Sequence, residues 1–294
     1  MKLLAFTPNN LSQSGERRYR IGAMVDGDQI ADLTPSVQPM GLNAAEILRC
    51  YDLDTNFVDQ AMKAIDSGSC TLIDARDVKI EAPVPRPGKI ICIGLNYRNH
   101  AIESGMDIPK SPIIFSKFQT CIVGPADPIR IPIGSEKVDY EAELAVVIGR
   151  RATNVKATAA FDYVLGYTNF NDVSARDFQF ADGQWQRGKS CDTFAPMGPF
   201  ISTRDEIIDP HKQRICFRLN GETLQDSTTA ELIFGVPELI EFLSSNITLE
   251  PGDVIATGTP PGVGFARKPP VFMKNGDIAE VEIEGLGILS NPVV

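Results

Sequence analysis

The sequence predicts a mixed, β-rich α+β fold, with a small α+β unit ahead of a larger, strand-dominated one. Three observations lead there. Short apolar runs recur, among them Lys89–Gly94, Leu144–Ile148, Ile215–Leu219 and Ile278–Ile283, and their composition is that of buried strands. Turn-forming residues punctuate them, 21 Pro and 24 Gly in 294 residues, so the elements between must be short. No Gly-x-Gly-x-x-Gly follows a strand and no Gly-x-x-x-x-Gly-Lys reads as phosphate-binding, so nucleotide binding and a doubly wound sheet have no support.

Residues 1–80 read as a small N-terminal domain. Ile21–Val25 and Gln29–Ala31 flank Asp26-Gly27-Asp28, a hairpin turn. Asn43–Ile65 is helical by its apolar spacing (Ile47, Leu48, Leu53, Val58, Met62, Ile65), with a break at Tyr51–Asn56. Pro83–Gly88 is a linker by composition. The second domain runs from 86 to 294. After Lys89–Gly94, further strands are predicted at Pro112–Phe115, Ile129–Ile131, Val138–Ile148, Tyr163–Asn171, Ile215–Leu219, Val254–Thr257 and Ile278–Ile283. Short helices are predicted at Thr158–Asp162 and Val236–Ser245, and Asn220-Gly221 is a hairpin turn.

The formal net charge is -10, which argues against a nucleic-acid binder that neutralises phosphates. It leaves room for a small anionic substrate beside a local cation. The N-terminus lacks the apolar core of a secretory signal, and no stretch has the ~20 apolar residues of a membrane span. The expectation is a cytoplasmic protein, with an organellar location left open. The six cysteines include no Cys-x-x-Cys pair and read as reduced. With His100 and His211 the only histidines, a zinc site is not expected.

The chemistry-bearing residues gather around Val138–Ile148. Glu141 and Glu143 are two apart, so on a strand they share a face, about 7 Å from each other. Two such carboxylates repel unless something positive lies between them. A hard divalent cation is one reading and a solvated acidic edge is the other. Asp172, ending the strand Tyr163–Asn171, is either a third carboxylate for that cation or a cap of the following turn. His100 and Glu103 are three apart and share a helical face, as a general base with its orienting carboxylate or as a surface pair. Arg187-Gly188-Lys189-Ser190 offers a cation near the acids or a surface loop. Thr257–Gly264 is a rigid loop rich in glycine and hydroxyl groups, of a kind whose N–H groups approach ligands. Trp185 either walls the site or packs beneath it. His211 reads as a solvated loop histidine.

In order and spacing, these motifs resemble the fumarylacetoacetate hydrolase family. The match runs through Gly94-Leu95-Asn96-Tyr97 with His100 and Glu103, then Asp139-Tyr140-Glu141-Ala142-Glu143, Asn171–Asp177, Lys189 and Thr257-Gly258-Thr259-Pro260. It covers about residues 86–294, and the first 80 resemble the small N-terminal domain of two-domain, bacterial-type members. The resemblance implies twisted mixed β-sheets forming a roll. It implies Mg2+ or Mn2+ held by Glu141, Glu143 and Asp172, with His100 and Glu103 as the general-base pair and Lys189 offsetting developing charge. Arg176, Gln179 and Thr259 fall at substrate-contacting positions. No fourth carboxylate precedes His100, which argues against fumarylacetoacetate itself. The implied activity is hydrolysis of a C–C bond in a 2,4-dioxo acid, of the acylpyruvate or fumarylpyruvate type. The alternative is isomerisation or decarboxylation of a related 2-oxo acid, including 2-hydroxyhepta-2,4-diene-1,7-dioate and oxaloacetate. A homodimer is expected on the same ground.

Overall fold

The computed structural model of the chain describes residues 1–9, 18–25, 27–37, 41–181 and 183–294. The first part holds β1 (Lys2–Pro8), β2 (Arg20–Met24), β3 (Gln29–Asp32), α1 (Ala44–Cys50), α2 (Phe57–Asp66), β4 (Thr71–Asp74) and β5 (Val78–Glu81). The strands β2 and β3 pair antiparallel as expected, and Gly27 takes φ +65 in their turn. Asp26 of that turn lies outside the described residues. Asn43 and Glu46 close a reciprocal capping box at the start of α1. The predicted break is real. Asp52 caps a single 3-10 turn at Leu53–Thr55, and Asn56 turns left-handed before α2.

The middle of the chain supplies β6 (Ile90–Gly94), α3 (Arg98–Glu103), β7 (Ile113–Ser116), β8 (Ile122–Val123), β9 (Val138–Asp139), β10 (Ala142–Ile148), β11 (Val164–Asn171) and β12 (Ser174–Ala175). Two single-turn helices, α4 (Arg176–Gln179) and α5 (Gln186–Lys189), lead into β13 (Ala195–Thr203). The remainder gives β14 (Arg214–Leu219), β15 (Glu222–Thr228), α6 (Val236–Ser244), β16 (Val254–Ala256), β17 (Ile278–Ile283) and β18 (Ile288–Pro292). No described helix is long and apolar enough to cross a membrane.

The fold is mixed, β-rich α+β. A 12-stranded sheet runs β4-β3-β2-β1-β13-β11-β10-β16-β6-β7, with β5 on β1 and β8 on β13. Its pairings are antiparallel except β16–β6 and β13–β8. A four-stranded sheet, β15-β14-β17-β18, packs on one face, and β9 pairs with β12. Strand β10 is buried on both faces, which explains its unbroken apolar run. Leu144, Val146 and Ile148 face the four-stranded sheet, while Ala145 and Val147 join the core with Ile47, Tyr51 and Phe170. Tyr140 stacks on Phe217 of β14, ring centroids 4.0 Å apart, and ties the two sheets together. The first 81 residues extend the large sheet through the β1–β13 pairing, Leu3 opposite Ile201.

Three expectations change. Val138–Ile148 is not one strand, because Tyr140 and Glu141 interrupt it. There the Asp139 carboxylate accepts the Tyr140 N–H, and the Asn171 side chain accepts the Glu141 N–H. Ile129–Ile131 makes one parallel bridge to Val293 rather than a strand. Thr158–Asp162 belongs to a longer 3-10 helix, Ala157–Tyr163.

Candidate active site

Three carboxylates converge where β11 ends and β10 begins. Oxygens of Glu141, Glu143 and Asp172 all lie within 4.8 Å of one another, and all three residues are buried. The β10–β11 register sets this up, with Ala142 opposite Asn171 and Glu143 opposite Phe170, so Asp172 emerges beside Glu141. The Asp172 N–H donates to the Glu141 carbonyl at 2.9 Å. The solvated-edge and turn-cap readings are therefore set aside.

Three buried cations face these acids. Lys189 Nζ donates to Glu141 Oε2 at 2.7 Å and to Asp172 Oδ2 at 2.9 Å. Lys117 Nζ pairs with Asp172 Oδ1 and donates to the Val173 carbonyl. Arg176 Nε donates to Asp139 Oδ2 at 2.8 Å and Nη1 to Gln179 Oε1 at 2.8 Å. Its Nη2 lies 2.7 Å from Glu141 Oε1, an ion pair whose angles fall short of hydrogen-bond geometry. Burial acts to raise the Glu141 carboxyl, but Lys189 and Arg176 outweigh it and hold it down to about 2. Glu143 goes the other way. Burial, then the charges of Asp172 and Glu141, push it well above the usual carboxylate range. Among the described residues its side chain accepts one hydrogen bond, from the Gly258 N–H at 2.9 Å. Among the described residues, Asp139, Glu141, Glu143 and Asp172 thus face one cation fewer than their own number, and Glu143 is the acid that none of these cations touches. An all-oxygen donor set with uncompensated negative charge fits a hard divalent cation.

Opposite the acids stands α3. His100 Nδ1 lies 2.8 Å from Glu103 Oε1. A carboxylate accepts, so Nδ1 carries the proton and Nε2 is the basic nitrogen. The Gly262 N–H donates to both Glu103 oxygens, at 3.1 and 2.9 Å, and fixes the carboxylate in turn. His100 is buried, so the pair is no surface feature. Leu95 turns the chain from β6 toward α3 in the left-handed region, φ 55, a conformation costing a branched residue about 1 kcal/mol.

The loop after β16 ties the parts together. Gly258 holds Glu143, Gly262 holds Glu103, and the N–H groups of Gly264 and Phe265 donate to Asp139 at 2.7 and 3.0 Å. All three of its glycines are required by space, and a Cβ at Gly264 would lie 1.9 Å from the Val271 carbonyl. At Gly258 a Cβ would lie 2.7 Å from Asn96 Cβ, and at Gly262 2.3 Å from the Leu224 carbonyl, both at φ +104.

These groups border a cavity of about 260 Å3. Of the residues singled out by sequence, His100, Glu141, Glu143, Arg176, Gln179, Lys189 and Thr259 line it. Glu103 sits behind His100, and Asp172 behind Lys189. Trp185 forms a wall, edge-on to Phe115 at 5.5 Å. Gly183–Ser190 spells Gly-x-x-x-x-Gly-Lys-Ser, but Lys189 is bonded to carboxylates and the element before the loop is the helix α4, not a strand. Lys117, Asp139 and Gln225 are site residues that sequence reasoning did not assign. Asp139 lay within a quoted motif, whereas Lys117 and Gln225 carried no spacing signal. His211 is also corrected. Its Nε2 accepts the Val236 N–H at 2.9 Å and caps α6, so it is structural rather than solvated.

Residues 89–294 match the fumarylacetoacetate (FAA) hydrolase C-terminal family. Over 278 residues the chain is 47% identical to the mitochondrial oxaloacetate tautomerase of Xenopus laevis, spanning 94% of this chain and 86% of that protein. The 2-hydroxyhepta-2,4-diene-1,7-dioate isomerase of Mycobacterium marinum superposes with a TM-score of 0.76 at 33% identity, covering 100% of this chain and 98% of its own. Maleylpyruvate hydrolase of Sphingobium sp. SYK-6, in complex with manganese(II) and pyruvate, gives 0.78 at 30% identity, covering 100% and 99%. The animal relative shows that the likeness is not confined to bacterial-type members. Its mitochondrial description also overturns the cytoplasmic expectation. That expectation rested on missing apolar segments, which do not distinguish cytosol from mitochondrial matrix. With the fold, the site and these likenesses in agreement, the chain is an enzyme of the fumarylacetoacetate hydrolase family.

Proposed function

We propose that the enzyme interconverts the keto and enol forms of a short anionic 2-oxo dicarboxylic acid of the oxaloacetate type. The observation that carries this reading is the 47% identity, across 94% of the chain, to an oxaloacetate tautomerase. Chemistry supports it. Keto–enol exchange needs a base that moves one proton, and the His100–Glu103 pair supplies one at the cavity wall. Hydrolysis of a 2,4-dioxo acid needs a positioned water as well. It stands as the second reading, favoured by the likeness to maleylpyruvate hydrolase.

Glu141, Glu143 and Asp172 would hold Mg2+ or Mn2+. When bound, the ion supplies Lewis acidity that stabilises negative charge on the C2 oxygen. The chain's own residues do the rest. His100 Nε2 takes the proton from C3, and the C–H electron pair becomes the C2–C3 double bond. The C2=O π pair moves onto the oxygen, which then takes a proton back from the His100 imidazolium, directly or through water, and restores the neutral base. Glu103 keeps the imidazole oriented and stabilises its protonated form. Lys189, Gln179 and Thr259 offer donors to the carboxylate and oxo oxygens, and Phe180, Trp185 and Phe265 limit water.

The test follows enol oxaloacetate in the ultraviolet as it ketonises, with Mg2+, with Mn2+ and with EDTA. Acceleration that EDTA abolishes is expected. A rate equal to the blank, together with cleavage of acetylpyruvate or maleylpyruvate, overturns the tautomerase in favour of the hydrolase.

A further inference from the structure

We infer that Gln225, a buried residue of β15, is a positioning residue that makes Thr259 a hydrogen-bond donor toward the cavity and so tunes the site for an anionic oxygen. The inference rests on the proposed reading of the cavity as a 2-oxo acid site.

The geometry fixes the Gln225 amide on three sides. Its Oε1 accepts the Ala142 N–H at 3.0 Å, between the two acidic residues of the Glu141–Glu143 stretch. Its Nε2 donates to the Pro260 carbonyl at 2.8 Å and to Thr259 Oγ1 at 2.8 Å. Turning the amide over would set its oxygen against the Pro260 carbonyl and its NH2 against the Ala142 N–H. Both contacts would repel, so the orientation is set by two backbone groups and not by Thr259 itself.

The consequence falls on the hydroxyl. Thr259 Oγ1 already accepts a hydrogen bond from Nε2, so its own proton must point elsewhere. Among the described residues it donates to no protein acceptor, and Thr259 lines the cavity. A buried hydroxyl with its proton directed into the cavity recognises an acceptor, best of all an ionised carboxylate. The amide thereby makes a hydroxyl that could act in either role into a donor. Gln225 arrives from the four-stranded sheet, which gives that sheet a part in the site beyond packing.

The experiment is a double-mutant cycle read by calorimetry. Mn2+ is titrated first, then oxalate into the Mn2+-loaded protein, for the parent, Thr259→Val, Gln225→Met and the double variant. Thr259→Val is expected to weaken oxalate about ten- to a hundredfold, the range for hydrogen bonds to charged groups. Gln225→Met is expected to weaken it about three- to tenfold, with Mn2+ affinity unchanged. In the Thr259→Val background, Gln225→Met should add less than twofold. Gln225→Asn keeps an amide but is one methylene too short. It should behave like Gln225→Met and serves if that variant fails to fold. An equal loss of oxalate with and without the Thr259 hydroxyl overturns the role assigned to Gln225, as does a matching loss of Mn2+ affinity. Either result makes Gln225 a mere support of β10. A parent that binds Mn2+ but not oxalate overturns the reading of the cavity, and the role of Gln225 falls with it.

Discussion

The two halves of the site are built differently. The acidic half grows from central strands of the large sheet, where Glu141, Glu143 and Asp172 are buried and Lys117, Lys189 and Arg176 lock Glu141 and Asp172. The basic half is a six-residue helix, α3. Within it and just beyond it the chain shows apolar side chains to solvent, with Ile102 62% exposed and Met106 52%. Its polar anchor is Glu103 on the Gly262 N–H, with Asn96 pinned to Phe234 ahead of it. Few buried contacts and one short element give low local stability, whereas a strand packed on both faces opens only with the whole molecule. One half is a fixed receptacle, and the other has the build of a part that closes over it.

The largest effect should come from the fixed half. Glu143→Gln keeps the shape and the Gly258 contact but removes a ligand charge. Activity should fall to the blank, and the Mn2+ heat should disappear from a calorimetric titration. Yet the metal-free protein should melt no lower than the parent, because the substitution relieves repulsion from Asp172 and Glu141. Asp139→Ala should do the opposite to the fold. It leaves Arg176 buried without its main partner, at a cost of about 3–5 kcal/mol in chemical denaturation. If Glu143→Gln proved as destabilising as Asp139→Ala, the uncompensated charge on Glu143 would be an error.

His100→Asn addresses the helical half. Turnover should fall by roughly two to four orders of magnitude, the usual worth of a general base. Mn2+ and oxalate should bind about as in the parent, since His100 is no ligand in this arrangement. Loss of Mn2+ affinity in this variant would erase the distinction between the halves.

The contrast between the halves also governs what the sequence disclosed. Glu141 with Glu143, and His100 with Glu103, are local pairs, and element periodicity exposes such pairs. Their partners are not local. Lys117 reaches Asp172 across 55 positions and Gln225 reaches Ala142 across 83, and neither has neighbours that betray it. Strand β13 carries cis Gly198-Pro199 and reads as punctuation, although it is a central strand of the large sheet. The break at Tyr140 and Glu141 was hidden for a similar reason. It is imposed by side chains of Asp139 and Asn171, while the apolar pattern continues through it.

Hydrogen exchange gives a smaller and more direct measure. Amides of α3 should exchange orders of magnitude faster than those of β10 in the metal-free protein, and oxalate with Mn2+ should slow α3 selectively. Equal protection of the two, or a response to oxalate confined to β10, would remove the closing role of α3.

The smallest effect should come from His211, which touches neither half. Its Nε2 caps α6, and the segment just before α6 runs along Asn96. The Ile233 N–H donates to the Asn96 carbonyl, and Asn96 exchanges hydrogen bonds with Phe234 on both sides of its amide. The route from His211 therefore leads to the entrance of α3 and bypasses the carboxylates. His211→Ala should cost about 1 kcal/mol, as the loss of a helix cap does, and lower the melting temperature by about 2 °C in a chain of this size. Mn2+ affinity should not change. Exchange at α3 should quicken by a few-fold, and the apparent oxalate affinity should drop by less than that, since binding recovers most of the ordering. A shift in Mn2+ affinity would mean that α6 supports the acidic half, and the two halves would then share a foundation that the hydrogen-bond pattern does not give them.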